Sequence, residues 1–211
     1  MSELRRSDES VLVVDDDPSV RKALARLFRS VGLAVETFAS AEEFLARAWP
    51  TTPCCLVLDM RMPQTSGLQL QEHLCRAGHD PTIVFLSGHA DVPGSVRAMR
   101  TGAVDFLVKP FAQQELLAAV RRALDRDRRA RAERAQRESV EASVRALTRR
   151  ERQVLALVVA GLPNKLIADR LAIVEKTVKV HRGRVMSKMR AGSLAELVRM
   201  TTKLDFRPGV T

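Results

Sequence analysis

Residues 54–67 read CCLVLDMRMPQTSG. A short apolar run, Leu56-Val57-Leu58, ends on a single carboxylate, Asp59, and Pro63 and Gly67 close the stretch. Continuous apolar residues of this length suit a strand buried on both faces, as in a parallel sheet. An ionised group beside such a core is costly unless something pairs with it. Asp59 is therefore either a cap for the next turn or a group with a chemical role whose partners lie elsewhere in the chain.

Outward from this strand, residues 11–124 alternate short apolar runs with amphipathic ones, the pattern of a parallel sheet covered on both faces. Strand-like runs are VLVVD (11–15), AVETF (34–38), CLVLD (55–59), TIVFLS (82–87) and DFLV (105–108). Helix starts lie between them. Asp17-Pro18 is an N-cap followed by proline at the first helical position, Ser40 to Glu43 is a capping box, Ser66 precedes LQLQEHL, and residues 95–101 fill the gap before the fifth strand. Five strands and five helices predict an α/β, doubly wound domain of the flavodoxin-like order 2-1-3-4-5.

From Phe111 to Ala160 there is no glycine or proline, and Ala, Leu, Arg and Glu dominate. These are strong helix formers, so the fifth helix is expected to run on into a long, solvated helical linker. Residues 148–204 then predict four helices. Thr148–Glu151 and Ser193–Glu196 are capping boxes. Gly161-Leu-Pro163 breaks the first helix, Asn164 caps the second, and Ile173-Val174 turn into a basic third. A helix, a tight turn and a basic helix form the helix-turn-helix pattern. The boundaries that follow are 8–124, 125–146 and 147–206.

The charge is unevenly placed. Residues 1–124 carry 14 basic and 15 acidic side chains, residues 125–146 seven and five, and residues 147–211 fourteen and five, for a net +10. Such an excess confined to the last third is expected where one domain meets a polyanion. The three cysteines, Cys54, Cys55 and Cys75, have no CxxC spacing, which argues against a disulfide framework or zinc site. No apolar run approaches the roughly 20 residues that span a bilayer, and the N-terminus lacks a secretory signal. A cytoplasmic protein without membrane association is expected.

Ligands of an open α/β sheet bind outside the carboxyl ends of its strands. There this chain places Asp15-Asp16-Asp17, Asp59, Ser87-Gly88 and Lys109-Pro110. Carboxylates from two strands form a hard-oxygen site suited to Mg²⁺. Lys109 and Ser87 are placed to bind phosphoryl oxygens, and Asp59 reads as the nucleophile.

VVDDD, LVLDMRMPQTSGLQLQ and FLSGHADVPGSVRAMRTGAVDFLVKPF resemble the receiver domain of two-component response regulators. LTRRERQVLALVVAGLPNKLIADRLAIVEKTVKVHRGRVMSKM resembles the LuxR-type helix-turn-helix. Together they resemble the NarL/FixJ class over roughly residues 10–204, the GHADVP and KPF stretches being closest to its FixJ-like branch. The resemblance implies that Asp59 accepts a phosphoryl group from a sensor histidine kinase. It further implies that Asp15, Asp16, Asp59 and the Arg61 carbonyl hold Mg²⁺ (or Mn²⁺), Asp16 as the direct acidic-pair ligand. Ser87 and Phe106 would be the switch residues and Lys109 the family's lysine. Gln64 departs from the family's glycine and Val174 from the serine that often opens the recognition helix. His89 stands at the mouth of the site, as an exposed loop residue or a group tuning dephosphorylation.

In the basic helix, Thr177, Lys179, Val180, Arg182 and Arg184 fall within two turns, enough to face a major groove and its phosphates. Lys165, Lys176 and Lys188 are read as further backbone contacts, and Val178, Val185 and Met189 as core. One Trp and no Tyr disfavour stacking on single strands, so duplex DNA is the expected partner. The reading is a transcription factor, an activator working with RNA polymerase, in which phosphorylation drives homodimerisation through the fourth helix, fifth strand and fifth helix. It is not an enzyme beyond self-phosphorylation and slow autodephosphorylation. Two alternatives compete: a phosphorylation-independent DNA-binding regulator with a structural receiver, and a Mg-dependent aspartyl phosphatase using DDDPS.

Overall fold

The computed structural model describes residues 9–88 and 92–202. The chain divides into two compact units that part between Arg131 and Ala132. The first alternates β1 (Ser10–Val14), α1 (Pro18–Ser30), β2 (Ala34–Phe38), α2 (Ala41–Leu45), β3 (Cys54–Asp59), α3 (Gly67–Arg76), β4 (Ile83–Ser87), α4 (Val92–Arg100), β5 (Asp105–Val108) and α5 (Gln113–Arg145). Its strands form one parallel sheet in the order β2-β1-β3-β4-β5.

The unbroken apolar runs have a direct cause. Successive side chains of a strand point to opposite faces, and here each face meets helices. Leu12, Leu56, Leu58 and Phe85 pack with Leu70 and Leu74 of α3. Val11, Val13, Val57 and Leu86 pack with Leu24 and Phe28 of α1 and with Leu116 and Val120 of α5. Every residue of β3 is buried, Asp59 included. β5 is the half-exposed edge.

Helix starts follow their caps. Asp17 accepts from Ser19 N–H with Pro18 behind it, and Ser66–Gln69 and Thr148–Glu151 form reciprocal capping boxes. At Ser40 and Ser193 the hydroxyl accepts as expected, but the returning Glu43 and Glu196 carboxylates accept from Ala39 and Gly192 N–H, one residue upstream. Gln64 has φ of 66°, the left-handed region where glycine is unstrained.

The second unit contains the end of α5 with α6 (Arg149–Val159), α7 (Asn164–Leu171), α8 (Glu175–Met189) and α9 (Leu194–Thr202). Val154, Leu155, Ile167, Val178, Val185, Met189 and Leu197 form its core. Asn164 does not cap α7, contrary to its sequence reading. Pro163 holds the N-cap position without a side-chain bond, and Asn164 is the first helical residue.

The expected linker also differs. Residues 125–131 are fastened to the first unit, where Asp127 is buried. Val140, Val144 and Leu147 belong to the core of the second. Only residues 132–139 are exposed throughout. Among the described residues, no helix is long and apolar enough to cross a membrane.

Candidate phosphoacceptor and DNA-binding sites

Parallel strands in register deliver their final residues to one edge. Asp15 follows β1, Asp59 ends β3, Ser87 ends β4 and Lys109 follows β5. The Lys109 N–H donates to the Ser87 carbonyl at 2.7 Å, continuing the β4–β5 ladder by one step. Its ammonium reaches Asp59 Oδ1 at 2.7 Å and Asp15 Oδ2 at 2.9 Å. One lysine thus joins two carboxylates that lie 94 and 50 residues before it in the chain, Asp15 and Asp59. The remaining oxygens are held by backbone: Asp59 Oδ2 accepts from Arg61 N–H at 2.7 Å and Asp15 Oδ1 from Asp17 N–H at 2.9 Å.

Burial dominates the electrostatics. It pushes the Asp15 carboxyl above its ordinary pKa, against the opposing pull of the Lys109 hydrogen bond. The same burial disfavours a charged lysine, but its hydrogen bonds to Asp59 and Asp15 outweigh it and hold Lys109 above its usual value. Lys109 is therefore cationic between two buried carboxylates, and a net negative charge is left over. An oxygen-rich donor set with surplus negative charge fits Mg²⁺ or Mn²⁺. Among the described residues no three His, Cys, Asp or Glu side chains converge as a metal-ligating group. Asp16 is exposed. Asp17 is committed to capping α1. Ser87 is buried, Phe106 is half-buried against the core, and His89 lies outside the described residues.

In α8, Val178, Val185 and Met189 are buried. Lys176, Lys179, Val180, Gly183 and Arg184 are exposed at spacings of three and four, which places them on one helical face. Thr177 is half-buried, and Lys165 is exposed near the start of α7. Two residues have protein partners instead. Arg182 Nη1 donates to Asn164 Oδ1 at 3.0 Å. The Lys188 ammonium donates to Glu151 Oε2 at 2.7 Å and to the Ala146 carbonyl at 3.3 Å.

Residues 11–121 match the response regulator receiver domain, and residues 145–201 match the luxR family of bacterial regulatory proteins. Nodulation protein W of Bradyrhizobium diazoefficiens is 50% identical over 92% of this chain and 86% of its own length. The transcriptional regulatory protein FixJ of Rhizobium meliloti is 44% identical over 96% of this chain and 99% of its own. The solved structure of the response regulator StyR superposes with a TM-score of 0.85 at 47% identity, covering 93% of this chain and all of that one. The chain belongs to the NarL/FixJ class of response regulators.

The geometry of this response regulator adds residues that sequence reasoning passed over. A side chain on Gly67 would meet the Asp59 carbonyl at 2.3 Å, so only glycine lets α3 begin against the end of β3. Arg21 Nη1 donates to the Asp15 carbonyl at 2.6 Å. Helical side chains lean toward the N-terminus, and Arg21 lies one turn after the Asp17 cap. That spacing was the available signal. Glu151 was read only as a capping residue, and nothing local in the sequence pointed to Lys188.

Proposed function

We propose that this response regulator accepts a phosphoryl group on Asp59 from the phosphohistidine of a cytoplasmic sensor kinase. A carboxylate oxygen of Asp59 attacks phosphorus, the phosphorus–nitrogen bond breaks, and the imidazole leaves. The observation that supports this most is the Lys109 bridge, which gathers Asp15 and Asp59 at the carboxyl edge of the sheet with negative charge in excess. Asp15, Asp16, Asp59 and the Arg61 carbonyl would hold Mg²⁺, which neutralises charge on the incoming group. Lys109 then stabilises the phosphoryl oxygens. Ser87 donates its hydroxyl to them, and Phe106 follows by changing its burial.

Val92, Val96, Met99 and Val108 are exposed apolar residues on α4 and β5. This supports dimerisation of the phosphorylated form through α4, β5 and α5. Pairing of two effector units would then favour binding to duplex promoter DNA and activation with RNA polymerase. Lys176, Lys179, Val180 and Arg184 face the groove, while Thr177 and Lys165 supply nearby contacts. Arg182 and Lys188, already engaged by Asn164 and Glu151, position α8 rather than hold phosphates.

Incubation with Mg²⁺ and acetyl phosphate is expected to label the protein, promote dimers and tighten DNA binding. Asp59→Asn is expected to do none of these. Undiminished labelling of that variant would refute the assignment, and normal DNA regulation without labelling would favour the phosphorylation-independent alternative.

A further inference from the structure

Two of the three described glycines in the second unit have a structural reason. Gly161 has φ of 81°, the left-handed region where a side chain is strained. Gly192 donates its N–H to Glu196 Oε2 at 2.9 Å, and an added Cβ would stand 3.4 Å from that oxygen. Gly183 has neither reason. It lies within α8 without a positive φ, and outside its own helix an added Cβ would meet nothing within 4 Å. Glycine is the least favourable residue of a helix interior after proline, so α8 would be more stable with alanine at this position. Nothing inside the protein demands the glycine.

Its place on the helix does. At about 100° per residue, Gly183 lies about 140° round α8 from Val178, away from the side that buries Val178, Val185 and Met189. It sits on the exposed face with Lys176, Lys179, Val180 and Arg184, the face proposed to meet the groove. Lys179 stands one turn before it and Arg184 follows it in the chain. Gly183 is more than four residues from either end of α8, so its N–H and C=O are both used within the helix. The gap it leaves therefore neither donates nor accepts a hydrogen bond. What fits there is apolar, and the apolar feature that a base pair presents in the major groove is the thymine C5-methyl.

We infer that Gly183 is a specificity-determining residue whose missing side chain lets α8 settle directly onto a thymine methyl. This rests on the proposed entry of α8 into the major groove of duplex DNA. A side chain at 183 lifts the helix off the groove floor and withdraws Lys179 from the base edges. The attraction of the basic face for phosphates is independent of sequence and survives.

The probe is a duplex selected from a random-sequence library by the intact protein treated with acetyl phosphate and Mg²⁺, compared with unselected random duplex. Gly183→Ala is expected to raise the melting temperature of the second unit by roughly 2–8 °C. It should weaken binding to the selected duplex about tenfold or more, while binding to random duplex stays within about twofold with an unchanged salt slope. Replacing thymines of the selected duplex one at a time by uracil removes only the methyl group. At one thymine of a half-site this is expected to weaken the unaltered protein about threefold or more. On that same duplex Gly183→Ala should come within about threefold of the unaltered protein, because the alanine methyl fills the space left by the base. Full affinity of Gly183→Ala for the selected duplex overturns the inference, as does equal loss on selected and random duplex. A lower melting temperature also overturns it, because the fold itself then needed the glycine. Loss of binding that no uracil restores overturns the thymine contact. If the unaltered protein selects no sequence, the DNA-binding role of α8 falls and the inference falls with it.

Discussion

Each unit of the molecule holds a lysine 2.7 Å from a buried carboxylate, Lys109 on Asp59 and Lys188 on Glu151. Distance does not separate them, but charge balance does. Lys109 serves two buried carboxylates and leaves one negative charge uncompensated. Lys188 serves one, and the Glu151 oxygen it holds also accepts from Thr148 N–H within the capping box. The environments diverge accordingly. Burial drives the Asp15 carboxyl up, whereas the Lys188 hydrogen bond and the Thr148 N–H hold Glu151 down at about 2. A frustrated set of charges invites a cation and a reaction. A satisfied pair is scaffold.

The largest expected effect comes from breaking the frustrated set. Lys109→Ala removes the ammonium that faces both carboxylates and the incoming phosphoryl group. Labelling by acetyl phosphate is expected to persist, but the resulting gain in DNA affinity disappears, a coupling of about 1–3 kcal/mol. Binding isotherms before and after phosphorylation measure it.

The second comparison sets Lys179 against Lys188 on the same helix. Lys179→Ala is expected to cost roughly 1–3 kcal/mol at the cognate duplex and to erode discrimination against random sequence. Lys188→Ala is expected to lower thermal stability while leaving the salt dependence of DNA binding unchanged, because its ammonium neutralises Glu151 and not a phosphate. A flatter salt slope for Lys188→Ala would return it to the DNA contacts. Lys165→Ala should flatten that slope.

Glu151 then gives a pH test. Its folded pKa of about 2 lies below the ordinary 4.5, so its stabilisation is full above about pH 5 and is lost as pH falls through about 2. Glu151→Gln should destabilise the second unit by about 1–2 kcal/mol at neutral pH, reduced from a fully buried pair because Lys188 is partly exposed. It should also remove that part of the acid dependence in thermal melts. The smallest effect is at Val174, which caps α8 without a side-chain bond. Val174→Ser is expected to add about 1 kcal/mol to the melting of the second unit with DNA binding intact. No gain would mean that the helix dipole with Glu175 already suffices.

How much of this was legible depended on whether the cause was local. β1, β3 and β4 lie where VLVVD, CLVLD and TIVFLS placed them, because both faces of these strands are covered and the runs stay apolar. The edge residues Asp15, Asp59, Ser87 and Lys109 could be gathered because parallel strands all end on one side. The buried Asp127–Arg131 pair could not. Asp127 and Arg131 stand among arginines and alanines that read as a solvated helix, and their partners are Cys54, Thr51 and Pro50, far back in the chain. The partner of Lys188 was hidden for the same reason, since Glu151 lies 37 residues away. Asn164 misled because its side chain serves Arg182 and leaves the cap position to Pro163.

The central claim is that surplus charge at the sheet edge makes Asp59, at the end of β3, and none of the three aspartates that follow β1, the group that carries phosphate. An acyl phosphate is reduced by borohydride to an alcohol, converting the modified aspartate to homoserine. After brief exposure to acetyl phosphate and Mg²⁺, peptide mapping should find homoserine at position 59 and aspartate at 15, 16 and 17. Homoserine at any of those three positions, with residue 59 intact, would contradict the account.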